Sequence, residues 1–195
     1  MPRVRAADYE DKMQGIADVS ARLFAKSGYP GVRMTEIAEA CNVSKAMVYH
    51  YFPTKDDILF FIIKEYLDQV VETLEEVAAD DKASPRDKLS EFVNDFIQRS
   101  TKMRSRNLVA MNDVVYLSET KRKEAGVLQR RIVELLAALV ARVNPNAPKR
   151  LLRPYALFLM GTLNWSDKWY RADGEIKPDE MAELISQAYQ FGIMR

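Results

Sequence analysis

Apolar residues recur along almost the whole chain at the three-to-four-residue spacing of amphipathic helices. Met13, Ile16, Ala17, Ser20, Leu23 and Phe24 share one face of a first helix, and Gly28 in the run Ser27-Gly28-Tyr29-Pro30-Gly31 ends it. The pattern then predicts a short helix over 34–41 and a shorter one from Lys45 to about Tyr51. Pro53 breaks that helix, and Thr54 is placed to cap a long one that buries Leu59, Ile62, Ile63, Tyr66, Val70 and Leu74. Ser84-Pro85 pairs a capping hydroxyl with a proline at the first helical position, opening a helix with Leu89, Phe92, Val93 and Phe96 inside. A short segment follows with Leu108, Val109, Met111, Val114 and Val115. Ser118 opens a long helix through Leu128, Ile132, Leu135, Leu136 and Leu139 that stops before Asn144-Pro145-Asn146. Two more helices, about 149–170 and 178–193, close the chain around Ala172-Asp173-Gly174. No repeat, low-complexity tract or strand pattern interrupts this. The expected fold is all-α with about nine helices. A three-helix domain with a helix-turn-helix occupies 1–55, and a larger helical domain for ligand binding and dimerisation occupies 56–195.

Composition agrees with helices. Among 195 residues only seven are Gly and eight Pro, too few for a turn-rich β protein. No apolar run has the length of a membrane span, and residues 1–25 lack the apolar core of a signal peptide. The one cysteine, Cys41, rules out an internal disulfide framework and suits a reducing compartment. The expectation is a cytoplasmic protein without membrane contact.

Charge changes the picture more. Lys and Arg total 29 against 28 Asp and Glu, so the chain is not broadly basic. Residues 1–55 carry eight basic and six acidic residues, the rest 21 and 22. Non-specific nucleic-acid coats are more basic than this. Any DNA contact must be local and set by geometry.

Residues 34–53 fit two crossing helices. Ile37 and Val48 are the buried anchors, Ala38 is small where the backbones approach, and Asn42 stands where a left-handed turn residue is needed. Val43 fills the corner and Ser44 caps the second helix. That helix then presents Lys45, Ala46, Met47, Tyr49, His50 and Tyr51. Unpaired N–H groups at its start suit phosphate, and side chains there reach base edges in a major groove. A plain helical hairpin with an aromatic cluster is the competing reading of these residues.

The stretch from Gly28-Tyr29 through Ile37-Ala38, Val43-Ser44-Lys45, Val48-Tyr49-His50-Tyr51-Phe52 and Lys55 resembles the signature of the TetR family of regulators. The resemblance implies that Lys45, Ala46 and Met47 face bases from a helix capped by Ser44. It also implies that Tyr49, Tyr51 and Lys55 touch phosphate, with Thr54 and His50 beside them. The chain departs from the family at Val32, where a hydroxyl is usual, and at Asn42 and Ala46, where glycine is frequent. The departure at Val32 predicts one missing cap or phosphate contact. Arg3 and Arg5 are placed on a short N-terminal arm that can enter a minor groove or remain solvated.

Residues 56–195 carry no catalytic set. The only histidine, His50, lies in the reading helix, and no phosphate loop, zinc cluster or Ser-His-Asp set can be assembled. No enzyme activity, metal or cofactor is expected. Met181, Leu184, Ile185, Ala188, Tyr189 and Gly192 make a helical stripe, and 155–165 is apolar nearly all round with Gly161 inside it. These features predict a homodimer through the last two helices, as a twofold, palindromic operator in double-stranded DNA requires. Phe92, Phe96, Met103, Leu108, Met111, Val115, Tyr116, Met160 and Trp165 are the candidates to line a pocket for a small hydrophobic effector, although such residues also make plain core. Gly161-Thr162-Leu163-Asn164-Trp165, with Trp169-Tyr170-Arg171, Gly174, Pro178 and Glu180, is similar to the C-terminal pattern of TetR-family members that sense acyl-CoA thioesters. This adds Asn164 to the ligand candidates and implies an acyl-CoA, with a free hydrophobic compound or drug as the rival. The expected function is a ligand-responsive repressor. A helical scaffold that does not read DNA is the alternative from another class.

Overall fold

Gly28 ends the first helix as the sequence requires. It adopts φ 74°, a conformation glycine tolerates without strain, and its N–H closes on the Phe24 carbonyl at 2.8 Å. The computed structural model describes residues 2–193, and the side chains of 2–7 and 193 lie outside that description. The contacts expected of Arg3 and Arg5 therefore lie outside it as well. The backbone from Pro2 is already helical, so the expected arm is part of the first helix.

The helices, in chain order, are α1 (Pro2–Ser27), α2 (Met34–Ala40), α3 (Lys45–Tyr51), α4 (Lys55–Ala79), α5 (Pro85–Lys102), α6 (Arg104–Asn112), α7 (Glu119–Val143), α8 (Lys149–Trp169) and α9 (Pro178–Gln187). A 3₁₀ turn over Val114–Tyr116 separates α6 from α7, and a π-helical turn over Ala188–Ile193 follows α9. Among the described residues there are no strands.

The chain packs as two compact units, one of Met1–Tyr66 with Ser105–Ala125, the other of Leu67–Arg104 with Gly126–Arg195. The expected boundary at residue 55 coincides with the start of α4. That helix runs unbroken past Tyr66 and contributes residues to both units.

In the first unit Ile16, Ala17, Phe24, Ile37, Val48, Phe52, Ile58, Leu59, Ile62 and Ile63 are buried, and Ser20 among them returns its hydroxyl to the Ile16 carbonyl at 2.7 Å. Arg106 of α6 is 3% exposed. Its guanidinium donates to Asp18, Glu65 and Gln14, tying α6 to α1 and α4. In the second unit Leu74, Leu89, Phe92, Val93, Ile97, Leu136, Leu159 and Leu163 form the core.

Two expectations for α8 need correction. The run 155–165 is buried on one side only, since Leu157, Phe158 and Trp165 are exposed. Gly161 has no close neighbour, because a Cβ there would meet no atom of this chain within 4 Å. The α9 stripe also divides. Met181, Ile185 and Tyr189 are buried, whereas Leu184, Ala188 and Gly192 face outward.

Candidate nucleic-acid interface

Helix α3 has only seven residues, so both its ends must be satisfied by the chain around it. Ser44 supplies the start. Its hydroxyl accepts the Met47 N–H at 3.1 Å, the geometry of an N-cap. Asn42 supplies the turn at φ 54°, the one non-glycine residue with positive φ among those described. Val48, fully buried, anchors the helix beside Ile37, also fully buried, of α2. With one face fixed, Lys45, Ala46, Met47, Tyr49 and His50 are left in solvent. Met47 and Tyr49 are about two-fifths exposed.

The other aromatics steady this face. Tyr51 stacks obliquely on Tyr9 of α1 with ring centroids 4.7 Å apart, and His50 meets both Tyr9 and Tyr51 edge-on. Tyr51 is thus partly occupied by packing within the unit, whereas Tyr49 stands clear with the Lys45 ammonium 5.6 Å over its ring.

Thr54 and Lys55 serve the fold as well as the surface. The Thr54 hydroxyl and backbone N–H both donate to the Asp57 carboxylate at 2.6 and 2.8 Å, and the Asp57 N–H returns to the Thr54 hydroxyl at 3.1 Å. This is a capping box with Asp in place of the usual Glu or Gln. The Lys55 ammonium donates to the carbonyls of Tyr29 and Val32, each at 2.8 Å, and lies 4.3 Å from the Tyr29 ring centre. Desolvation lowers its pKa. Two of its three protons are therefore held by the loop between α1 and α2, leaving one for a phosphate.

Val32 explains its own departure from the hydroxyl pattern. It is 3% exposed, immediately before the α2 cap, and Ile37 five residues on is buried too, which is the arrangement of a hydrophobic staple. The orphan N–H of Arg33 is satisfied instead by the Glu36 carboxylate at 2.6 Å.

At the far side of the α4 N-terminus, Lys121 bridges Asp56 at 2.8 Å and Asp57, and the Ser118 N–H donates to Asp56. Burial pushes both carboxyls up, but the bonds from Lys121, with Ser118 on Asp56 and Thr54 on Asp57, outweigh it and hold both below their ordinary value. Sequence reading missed this triad, since Lys121 stands 65 residues from Asp56.

Residues 16–61 match the family model of bacterial regulatory proteins of the tetR family, and residues 82–191 match that of the tetracyclin repressor-like C-terminal domain. The chain belongs to the TetR family. A curated relative, the fatty acid metabolism regulator protein of Bacillus subtilis (strain 168), is 33% identical over 79 residues, spanning 40% of this chain and 40% of that protein. A TetR-family transcriptional regulator from Bordetella parapertussis 12822 superposes with TM-score 0.86 and 27% identity, covering 92% of this chain and 94% of that one. AibR, solved in complex with isovaleryl coenzyme A and operator DNA, shares the fold with TM-score 0.79 at 24% identity over 90% of this chain and 96% of its own.

The TetR-type C-terminal region places the ligand candidates unevenly. Leu108, Met111, Val115 and Tyr116 belong to the first unit, and Phe92, Phe96, Met103, Met160, Asn164 and Trp165 to the second. Phe92 and Phe96 are buried and pack ring against ring at 6.1 Å. Met103, Leu108, Met160 and Asn164 are half-buried, and the Asn164 side-chain oxygen has no hydrogen-bond partner among the described residues.

Met111, Val115, Tyr116 and Trp165 are exposed. The reason is local: the turn after α6 carries Val115 and Tyr116 outward, and Tyr116 stacks on Tyr29 at 5.5 Å.

Cavities in the second unit include one of about 430 Å³ between α5 and α9 and one of about 290 Å³ beside Asp167. Both are edged by charged residues, and none of the expected pocket residues lines either. Asp167 is 5% exposed; burial pushes its carboxyl up, and one of its oxygens has no partner among the described residues. Among the described residues no helix is long and apolar enough to cross a membrane, and no cluster of three metal-ligating side chains occurs.

Proposed function

We propose that the protein is a DNA-binding transcription regulator acting as a repressor in the cytoplasm, and that its homodimer reads a palindromic operator through α3. The observation that carries this reading is the pairing of a fully buried Val48 with exposed Lys45, Met47 and Tyr49 on a helix fixed at its start by Asn42 and Ser44. Ala46 and Met47 meet base edges, Tyr49 bonds phosphate, and Lys45 serves either. Tyr51, His50 and the remaining proton of Lys55 flank this contact. A chain with near-zero net charge cannot rely on a broad electrostatic field, so register comes from these few groups.

The dimer is formed by the outer faces of α8 and α9. Leu157, Phe158 and Trp165 on α8, Leu184 on α9 and Phe191 in the turn after it are exposed, with Gly161 and Gly192 leaving room for close approach. A twofold pairing of such faces sets the distance between the two copies of α3.

The effector is a small hydrophobic molecule, with an acyl-CoA as the first choice. Support comes from the run Gly161 to Trp165, from the unpaired Asn164 oxygen, and from the fatty-acid regulator among the relatives. The fold shared with AibR holds an acyl-CoA and operator DNA in that protein. Ligand binding favours a state in which α4, which starts at Lys55, no longer holds the two reading heads at operator spacing.

Fluorescence anisotropy of the gene's own upstream DNA tests both halves. Specific binding relieved by short- and medium-chain acyl-CoAs supports the reading. Binding that only a free hydrophobic compound relieves transfers the effector to that class, and a dimer that binds no upstream DNA makes the chain a scaffold.

A further inference from the structure

The buried guanidinium of Arg106 is divided among three side chains of the first unit. Its Nε donates to Asp18 at 2.9 Å, its Nη2 to the Gln14 side-chain oxygen at 2.7 Å, and its Nη1 to Glu65. The Gln14 amide donates in turn to the other Glu65 oxygen at 2.6 Å, which closes a ring through α6, α1 and α4. Two of the three acceptors, Gln14 and Asp18, stand four residues apart on α1 and so share one face of it. Ile16, Ala17 and Phe24 hold α1 on the core, but apolar packing is non-directional and tolerates small slides and rotations. A planar guanidinium bonded at three points does not.

The same helix carries Tyr9. Its ring centroid lies 4.7 Å from that of Tyr51, and it meets the His50 ring edge-on at 6.2 Å. About 7.5 Å of helix separates Tyr9 from Gln14, and about 13.5 Å separates it from Asp18. One unbroken helix thus joins the Arg106 cluster to the aromatic rings at the end of α3. A slide or turn of α1 that the Arg106 bonds oppose carries Tyr9 with it, and Tyr9 is the ring against which Tyr51 and His50 rest.

We infer that Arg106 is a positioning residue for DNA reading: it fixes the place of α1 and, by way of Tyr9, that of Tyr51 and His50 on α3. Arg106 itself is buried and touches no DNA. The inference rests on the reading of α3 as the DNA contact.

His50 is the only histidine, so one imidazole signal in the NMR spectrum reports on this end of α3. Its chemical shift follows the ring currents of Tyr9 and Tyr51. Two variants leave net charge unchanged, so a moved signal does not reflect a changed field. Arg106→Lys replaces the fork by one ammonium that cannot span the three acceptors. Gln14→Ala removes one α1 bond and leaves Arg106 paired with Asp18 and Glu65. Both variants are expected to move the His50 signal and to bind the gene's own upstream DNA about three- to tenfold more weakly than wild type, at a temperature where all are folded. A lower Tm with the His50 signal and the affinity unchanged makes Arg106 a purely structural tie and overturns the inference. Weaker binding without movement of the His50 signal overturns the route through α1, and a moved signal with unchanged affinity overturns its bearing on DNA reading. If Arg106→Lys does not fold, Gln14→Ala decides by the same two readouts. Failure of the wild type to bind upstream DNA overturns the DNA reading and this inference together, whereas failure of the variants alone to differ from it overturns only the inference.

Discussion

The Lys55 ammonium lies 2.8 Å from the Val32 carbonyl oxygen and so closes the loop that leads into α2. The same group reaches the Tyr29 carbonyl and ring, which makes Lys55 a clamp on the loop between α1 and α2. Lys55→Met is therefore expected to destabilise the domain by about 1–2 kcal/mol, discounted for partial exposure. It should also weaken operator binding while changing the slope of log affinity against log salt by well under one. Lys45→Met, which removes an exposed cation, should flatten that slope by about one with little change in Tm. Chemical denaturation and salt-dependent anisotropy on the two variants separate the roles.

The turn between α2 and α3 offers a sharper stability test. Asn42→Ala places an ordinary side chain at φ 54° and is expected to cost about 1–2 kcal/mol, whereas Asn42→Gly should cost little or stabilise. Ser44→Ala removes the cap on Met47 and should cost about 1 kcal/mol. Urea midpoints measure all three, and operator affinity should fall with Asn42→Ala and Ser44→Ala because these residues shape and cap the start of α3.

These two residues also show how far the sequence could be read. The left-handed turn at Asn42, the cap at Ser44, the stop at Gly28 and the inward faces of α4 and α5 all follow from local rules, since each depends on residues within one helical turn. What was hidden depends on residues distant in sequence. Lys55 read as a phosphate ligand because its acceptors, 23 and 26 residues earlier, leave no local trace. Val32 read as a lost contact because burial of its side chain is a tertiary fact. The exposure of Trp165 and Met111 was hidden because hydrophobic periodicity identifies apolar positions without saying whether the same chain covers them.

Acid should release the bridge at the start of α4. Asp56 and Asp57 are desolvated, yet Lys121 and the bonds from Ser118 and Thr54 hold them below the ordinary carboxyl value of about 4. A depressed folded-state pKa contributes stability that is complete above the unfolded value and lost as the pH falls through the folded one. Stability is therefore expected to drop on acidification below about pH 4, and Lys121→Met should make that fall shallower. Unfolding at a series of pH values checks it. Asp167 has the opposite sign. Its raised pKa makes stability fall as pH rises through that value, so Asp167→Asn should raise the Tm at neutral pH.

Gly161 tests the dimer. Inside one chain a Cβ at this exposed position meets nothing within 4 Å, so Gly161→Leu should stabilise an isolated subunit by roughly 1 kcal/mol through helix propensity alone. On the proposed interface the same change separates two backbones that need to approach. Sedimentation equilibrium is expected to show the variant dissociating at concentrations where wild type is dimeric, with operator binding lost in parallel. A variant that is more stable and still dimeric places the interface elsewhere.

The central claim is that α3, held by Val48 and capped by Ser44, reads DNA as one of a symmetric pair. A hydroxyl-radical footprint of the dimer on the gene's own upstream region tests it most directly, repeated with Met47→Ala. The expected result is two protected patches related by a twofold axis, with half-site centres about one helical turn, ~34–36 Å, or a multiple apart, and loss of sequence preference in the variant. Uniform protection along the fragment, or a pattern that Met47→Ala leaves unchanged, would contradict it.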